Sequence, residues 1–241
     1  MRQFCSIAFM LLLTACVCAP KTPEPYPFAA TYLSLESVPP TSIDAPLSRL
    51  SAAYQAELKT IIDAQKTITD AEIKAFNNEV SVKPEMVTLP VLGAAFNRTA
   101  LPHTFTLLDH IGSDNWRISD AAKNYWGTSR PFIEDNRVKA LVPPLYQPAY
   151  PSGHTSAAGI WSETLVQLLP RFAEPLRARA DTIALNRIKA GMHYPHDIEG
   201  GRQLVQNELA LLKNNVVFQN DLQVARNELA KKGWLSRYPK K

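Results

Sequence analysis

The chain has 241 residues, a formal net charge of +4, 46% hydrophobic residues and three cysteines, which suits one domain with a buried core. Its basic residues are spread along the sequence rather than concentrated in a stripe, so we expect no nucleic-acid partner. All three cysteines lie within the first 18 residues. The remainder of the chain therefore has no disulfide, no thiol nucleophile and no cysteine-based metal site.

The N-terminal stretch MRQFCSIAFMLLLTACVCAP has the organisation of a secretion signal, with a basic residue, an apolar run and small residues at its end. The tetrapeptide LTAC, which ends at Cys16, resembles the lipobox of bacterial lipoproteins. It predicts a signal peptide over residues 1–15 and a lipid on Cys16. Cleavage after Ala19, giving a leader over residues 1–19, is the alternative, and Pro20 at the new N-terminus disfavours it. We expect an exported, periplasmic protein whose N-terminal lipid contacts the outer membrane of a Gram-negative bacterium.

Residues 16–46 are rich in proline and show little periodicity, which predicts a tether and an irregular lead-in. Beyond them, apolar residues recur at three- and four-residue steps, and strand-like alternation is scarce. The segments with this helical pattern are APLSRLSAAYQAELKTIIDAQ, DAEIKAFNNEV, ISDAAKNYWGT, GHTSAAGIWSETLVQLL, LRARADTIALNRIKAG and HDIEGGRQLVQNELALLKNN. We therefore predict an all-α fold, a single helical domain over residues 47–241 with roughly eight to ten helices.

Three segments of this helical region carry the side chains that could perform chemistry: KNYWGTSRP, YPSGHTS and NRIKAGMHYPHD. In the first, Lys123 and Arg130 are seven residues apart, so they are predicted to share one helical face until Pro131 ends the helix. In the second, Ser152 and Gly153 precede a helix, where unpaired backbone N–H groups favour an anion. Lysine and arginine complete such a site, because both bind phosphate oxygens.

The third segment contains two histidines and an aspartate within five positions, and it allows three interpretations. His193 and Asp197 could form a catalytic pair, in which the carboxylate fixes the tautomer of the ring. Together with His154 and His196 they could instead coordinate zinc. The cluster could also be an ordinary solvated helix end. Nearby Arg187 disfavours a cation site.

In this order and with these gaps, the segments resemble the three-part motif of the type 2 phosphatidic acid phosphatase (PAP2) superfamily, KxxxxxxRP, PSGH and SRxxxxxHxxxD. The stretches AAKNYWGTSRPF, YPSGHTSAAGIW and RIKAGMHYPHDIEGGR look most like those of bacterial class A non-specific acid phosphatases. The resemblance covers about residues 85–205 and implies the all-α fold of the PAP2 phosphatases and vanadium haloperoxidases. One position departs from the motif: Asn186 stands where the motif has serine, and its effect on Arg187 stays open.

The resemblance implies an acid phosphatase that hydrolyses small-molecule phosphate monoesters through a phosphohistidine, without a metal or another cofactor. His193 would attack phosphorus with Asp197 holding its ring, and His154 would protonate the leaving group. His196 occupies an unspecified position of the motif and is expected to be a bystander. The resemblance assigns phosphate binding to Lys123, Arg130, Ser152, Gly153 and Arg187.

Other functions remain open from the sequence. The same residues hold vanadate in the haloperoxidases, so a vanadate-dependent haloperoxidase-like enzyme is one alternative. A lipid or diphosphate phosphatase acting at the membrane surface is another, and a non-enzymatic lipoprotein with this fold is a third. The natural substrate and the oligomeric state are not readable from the sequence.

Overall fold

A computed structural model describes residues 30–237, and the secondary structure in that range is helical, without strands. Its α-helices are α1 Ala52–Gln65, α2 Asp70–Asn78, α3 Glu85–Leu92, α4 Pro102–Trp126, α5 Pro131–Glu134, α6 Gly153–Leu168, α7 Ala173–Lys189, α8 Pro195–Leu212 and α9 Val216–Lys231. Short 3-10 turns lie at Pro40–Ser42 and Pro170–Phe172. The all-α prediction is confirmed. The predicted leader and the lipid site at Cys16 lie outside the described residues.

Local sequence signals explain where several helices begin. Ser51 accepts a hydrogen bond from the Tyr54 backbone N–H at the start of α1, and Thr69 forms a capping box with Glu72 at the start of α2. Helices α4, α5 and α8 each have proline in the first turn, where a missing N–H is harmless. Local sequence therefore accounts for where these helices begin.

Helix α6 lies at the centre and packs against α4, α7 and α8. Its Trp161 is fully buried and donates an indole hydrogen bond to the Leu108 carbonyl of α4 at 2.8 Å. A Cβ added at Gly112 would lie 2.8 Å from this indole, so only glycine lets α4 approach so closely. The contact fixes α4 beside α6, and these two helices carry Lys123 and His154.

The described part of the predicted tether and lead-in, residues 30–46, packs against the helices. Tyr32 and Leu33 are buried in the main core. Both backbone N–H groups donate to the Asp114 carboxylate of α4, at 2.7 and 3.0 Å. The sequence pattern missed this because an isolated apolar pair in a proline-rich stretch has no periodicity. The packed fold thus includes Tyr32.

The sequence segments also missed α3 and α9 as separate helices. Helix α3 is apolar on most of its surface and contains Pro90, so its pattern is not amphipathic. Within residues 30–237, no helix has both the length and the apolar character that crossing a bilayer requires.

Candidate active site

Hydrogen bonds and one close approach bring the three sequence segments together. The Ser152 backbone N–H donates to the Asp197 carbonyl at 2.8 Å, which joins the second segment to the third. The Tyr150 backbone N–H donates to the Thr128 hydroxyl at 2.9 Å, which joins the second to the first. A Cβ at Gly200 would lie 2.5 Å from the Tyr150 ring, so α8 reaches this loop only because residue 200 is glycine.

The predicted site residues surround a cavity of about 400 Å³. Those that line it are Lys123, Arg130, Gly153, His154 and His193. A narrow cavity of about 10 Å³ shares Arg130, His154 and His193 with it and adds Arg187. Ser152 and Asp197 are fully buried and support residues that line the cavity. All eight predicted positions in the folded part of the chain therefore meet at one place.

The ring of His193 is held between a carboxylate and a guanidinium. Its Nδ1 lies 3.1 Å from Asp197 Oδ2, and its Nε2 lies 3.1 Å from Arg130 Nη1. The carboxylate accepts the Nδ1 proton, so Nε2 carries the lone pair. Asp197 Oδ2 also accepts the Tyr194 backbone N–H at 2.9 Å, which fixes the carboxylate. Burial and the neighbouring cations hold the pKa of His193 well below its ordinary value of 6.5, which favours the neutral ring.

The pKa of the buried Asp197 carboxylate is shifted upward, in the opposite direction to that of His193. Burial raises its pKa above the ordinary value of 3.8, and the charges of His196, Lys123 and Arg130 oppose that shift. Ionised Asp197 and neutral His193 therefore coexist over a bounded pH range, whose acid limit is set by Asp197.

The structure corrects the predicted relation between Lys123 and Arg130. Helix α4 ends at Trp126, and Gly127 follows in the left-handed conformation with φ of 60°. Arg130 lies beyond this turn in extended backbone, as the N-cap of α5, and Pro131 begins that helix. The two cations reach one cavity from different elements rather than along one helical face.

The ammonium group of Lys123 donates hydrogen bonds to the loop that precedes α6. Its Nζ donates to three backbone carbonyls, those of Pro148 at 3.0 Å, Ala149 at 2.9 Å and Pro151 at 2.5 Å. Burial, with a contribution from the charge of Arg130, lowers the pKa of Lys123 to about 7. Lys123 therefore brings a positive charge to the cavity at acid pH while its N–H donors hold the loop.

The two arginines differ in how many donors they have free. Arg130 is tied by Nε to the Gln147 carbonyl at 2.9 Å and by Nη1 to the Met192 carbonyl at 3.0 Å. Arg187, which is 2% exposed, has no hydrogen-bond partner for Nε or Nη2 among the described residues. Burial lowers the pKa of each to about 10, so both stay charged. Arg187 thus offers the free guanidinium edge of the site.

His154 is bonded to a residue that the sequence did not indicate. Its Nε2 lies 3.0 Å from the Glu79 backbone carbonyl, and because a carbonyl only accepts, Nε2 carries a proton. Burial and the charges of Arg187 and Arg130 hold the pKa of His154 well below its ordinary value. Asn186 Nδ2 donates to both Glu79 carboxylate oxygens, at 3.1 and 3.0 Å. Asn186 therefore supports the wall beside His154, and no motif pointed to Glu79.

Ser152 acts as the N-cap of α6. Its hydroxyl oxygen accepts from the Thr155 hydroxyl at 2.9 Å and from the Thr155 backbone N–H at 3.4 Å. A Cβ built at neighbouring Gly153 would lie 3.4 Å from Ser119 Oγ and 3.7 Å from Lys123 Cε. The Ser119 hydroxyl lines the cavity and is buried without a hydrogen-bond partner within residues 30–237. Sequence analysis missed Ser119, although its position four residues before Lys123 places both on one helical face.

His196 does not line the cavity that His154 and His193 line. Its Nδ1 lies 2.5 Å from Glu57 Oε2, and its ring stacks on that of Tyr194 at 5.3 Å. Its Nε2 is 3.5 Å from Asp197 Oδ1. In the part of the chain that the structure covers, no group of three or more His, Cys, Asp or Glu side chains is arranged to hold a metal ion.

Comparison with known proteins matches this region to one family. Residues 110–204 match the model of the PAP2 superfamily. The chain is 30% identical over 137 residues to an acid phosphatase of Zymomonas mobilis, a match that covers 54% of this chain and 51% of that protein. It is 30% identical over 145 residues to a non-specific acid phosphatase of Salmonella typhi, with 58% of each covered. The predicted resemblance is confirmed.

The chain spans about half the length of the curated relatives it matches. Among solved structures, a bacterial vanadium-dependent iodoperoxidase superposes with a TM-score of 0.54 at 20% identity, covering 74% of this chain and 52% of that one. At this identity the likeness concerns the fold alone, and it supports the predicted PAP2-type helical architecture.

Proposed function

We propose that this protein, whose residues 110–204 match the PAP2 superfamily, is an acid phosphatase that hydrolyses small phosphate monoesters through a phosphohistidine. One observation carries the proposal: the neutral ring of His193 lines a cavity that also contains cations, with Asp197 on Nδ1 and Arg130 Nη1 3.1 Å from Nε2. Bound phosphate would take over that guanidinium contact and leave the Nε2 lone pair to attack phosphorus. A nucleophile in that state, next to positive charge, is what phosphoryl transfer from an anionic ester requires.

In the proposed first step, the phosphate group lies against Arg187 and the N-terminus of α6. Arg187 Nε and Nη2 have no other acceptor among residues 30–237, and a bidentate contact would satisfy both. His193 Nε2 forms a bond to phosphorus as the bond to the leaving oxygen breaks. The positive charge that develops on the ring is stabilised by Asp197.

His154 is proposed to supply the proton for the leaving alcohol. In the ligand-free protein its pKa is depressed, mainly by burial and then by Arg187, so the ring is neutral. A bound dianion offsets the nearby positive charge, which raises that pKa and favours a second proton on the ring. The neutral His154 then activates the water that releases phosphate from His193. Proton uptake is therefore coupled to substrate binding.

The test is phosphate release from p-nitrophenyl phosphate between pH 4 and 7, together with trapping of an acid-labile, alkali-stable phosphoenzyme from a ³²P-labelled ester. The wild type should show both signals, and His193→Ala should lose both. His196→Ala is the matched control, because it removes the neighbouring histidine that does not line the cavity. An acid-stable phosphoenzyme, or turnover in His193→Ala, contradicts the mechanism; activity that EDTA removes and zinc restores contradicts the absence of metal.

We further propose that the protein is exported and anchored by a lipid on Cys16. The lipobox-like LTAC sequence supports this proposal. Metabolic labelling with a tritiated fatty acid should mark the wild type and not Cys16→Ser. Equal labelling of Cys18→Ser, the neighbouring cysteine, and the wild type would assign the lipid to Cys16.

A further inference from the structure

One wall of the cavity carries an aromatic ring and a carboxylate that the proposed chemistry does not use. Trp116 and Asp120 both line the cavity and both are half-buried. They lie four residues apart on α4, so they share one face and are neighbours along the helix. Val80 and Leu145 add apolar surface to the same cavity. Trp116 and Asp120 do not line the narrow cavity that contains Arg187, where the phosphate is proposed to bind, whereas Val80 and Leu145 line both cavities.

The carboxylate of Asp120 is unfavourable for a phosphate dianion alone. Its charge acts on Lys123, three residues further along α4, and so opposes the positive field that attracts an anion. Among the described residues, its one hydrogen bond is accepted from Asn124 Nδ2 at 3.2 Å, and no salt bridge joins it to a cation. A carboxylate in this position reduces the binding of a phosphate ester whose alcohol part is uncharged and favours one whose alcohol part carries a positive charge.

The indole of Trp116, four residues from Asp120 on α4, indicates which kind of cationic group the site would bind. An ammonium group is attracted both to the face of an indole and to a carboxylate, and this pair binds alkylated ammonium ions well. Val80 and Leu145, which line the same cavity, suit the methylene stem or methyl groups of such a cation. Resting on the proposed phosphatase activity, we propose that this site selects phosphate monoesters of amino alcohols, with the ammonium held by Trp116 and Asp120.

The experiment compares two esters of the same shape, phosphocholine and its carbon analogue 3,3-dimethylbutyl phosphate, whose alcohol part carries no charge. In the wild type, kcat/KM should favour phosphocholine by about tenfold, the size expected for a partly exposed ion pair with a cation–π contact. In Asp120→Asn, kcat/KM should fall for phosphocholine and rise for the analogue, so the ratio of the two kcat/KM values should fall about tenfold from that of the wild type. Any intrinsic difference in reactivity between the esters is the same in each variant and cancels.

Two variants separate recognition from other effects. Trp116→Leu keeps an apolar side chain and should reduce kcat/KM several-fold for phosphocholine only. Glu174→Gln removes one negative charge from the exposed first turn of α7, the end of that helix far from Arg187, and should leave the preference unchanged. Circular dichroism and thermal unfolding check that each variant is folded.

The possible failures are distinguishable. If p-nitrophenyl phosphate is hydrolysed and the wild type shows no preference for phosphocholine, or Asp120→Asn keeps the wild-type preference, the inference on substrate class is wrong and the proposed function stands. If no phosphate ester of any kind is hydrolysed, the proposed function fails, and this inference fails with it.

Discussion

Replacing Asp197 by asparagine tests the pair on which the proposed mechanism depends. The carboxylate lies 3.1 Å from His193 Nδ1, and Asp197 is fully buried. At that separation and an effective dielectric constant of ~20, a full positive charge on the ring interacts with it by about 5 kcal/mol. Since about 1.4 kcal/mol changes a rate tenfold, losing that interaction should lower kcat by about 10³- to 10⁴-fold.

The asparagine side chain can occupy the same space. Its oxygen can replace Oδ2 and accept from His193 and from the Tyr194 backbone N–H, while its amide nitrogen takes the place of Oδ1, which has no hydrogen-bond partner within residues 30–237. The substitution therefore removes charge with little change of shape, and KM should change far less than kcat.

The assay is steady-state hydrolysis of p-nitrophenyl phosphate with ³²P phosphoenzyme trapping. Glu57→Gln is the matched control, because it makes the same change beside His196, and its kcat should stay within about threefold of wild type. A folded Asp197→Asn variant with kcat within tenfold of wild type would refute the reasoning, as would equal losses in both variants.

Three further predictions follow from the shifted pKa values and from the unpaired Ser119 hydroxyl. Activity should fall at low pH as Asp197, whose pKa burial raises, becomes protonated, and at high pH as His154 loses its proton. In the pH profile of kcat, the decrease on the alkaline side should lie at higher pH than in the profile of kcat/KM, because bound phosphate raises the pKa of His154. Profiles that decrease at the same pH would contradict this coupling. Burial raises the pKa of Glu208 to about 8. The stability that the protonated Glu208 contributes is fully present below its pKa in the unfolded chain, near 4.5, and is lost as the pH rises towards 8. The free energy of unfolding falls by at most ~1.4 kcal/mol per pH unit in that range. Urea unfolding of wild type and Glu208→Gln at pH 5 and 7 should show a shallower pH dependence in the variant, and parallel curves would contradict the assignment. Ser119→Ala should weaken inhibition by inorganic phosphate about fivefold, the value of one hydrogen bond, without lowering the melting temperature; unchanged inhibition would show that Ser119 does not contact phosphate.

The fold class and the residues that meet at the cavity were predictable from the sequence, because helical periodicity and motif order are local features. Lys123 and Arg130 were predicted to lie at one site, and they do, but the prediction that they share one helical face was wrong. Their spacing suggested one helix, but Gly127 ends α4 between them, and the sequence alone does not reveal whether a glycine terminates a helix or continues it. Burial of Tyr32 depends on Asp114, a contact across 82 residues that no local pattern contains.

The main difference between motif and structure concerns which donors are free. The motif presents Lys123, Arg130 and Arg187 as three equivalent phosphate ligands, whereas backbone carbonyls already accept from Lys123 and Arg130. Such bonds hold two buried cations in place against their mutual repulsion, which otherwise destabilises the fold. Arg187 keeps two buried donors without a described partner, and such donors are costly unless an acceptor arrives. The roles of the three cations therefore follow from their backbone contacts. Lys123 and Arg130 supply positive charge to the cavity and hold the loop that precedes α6. Arg187 is the arginine whose removal should most weaken binding of the anion.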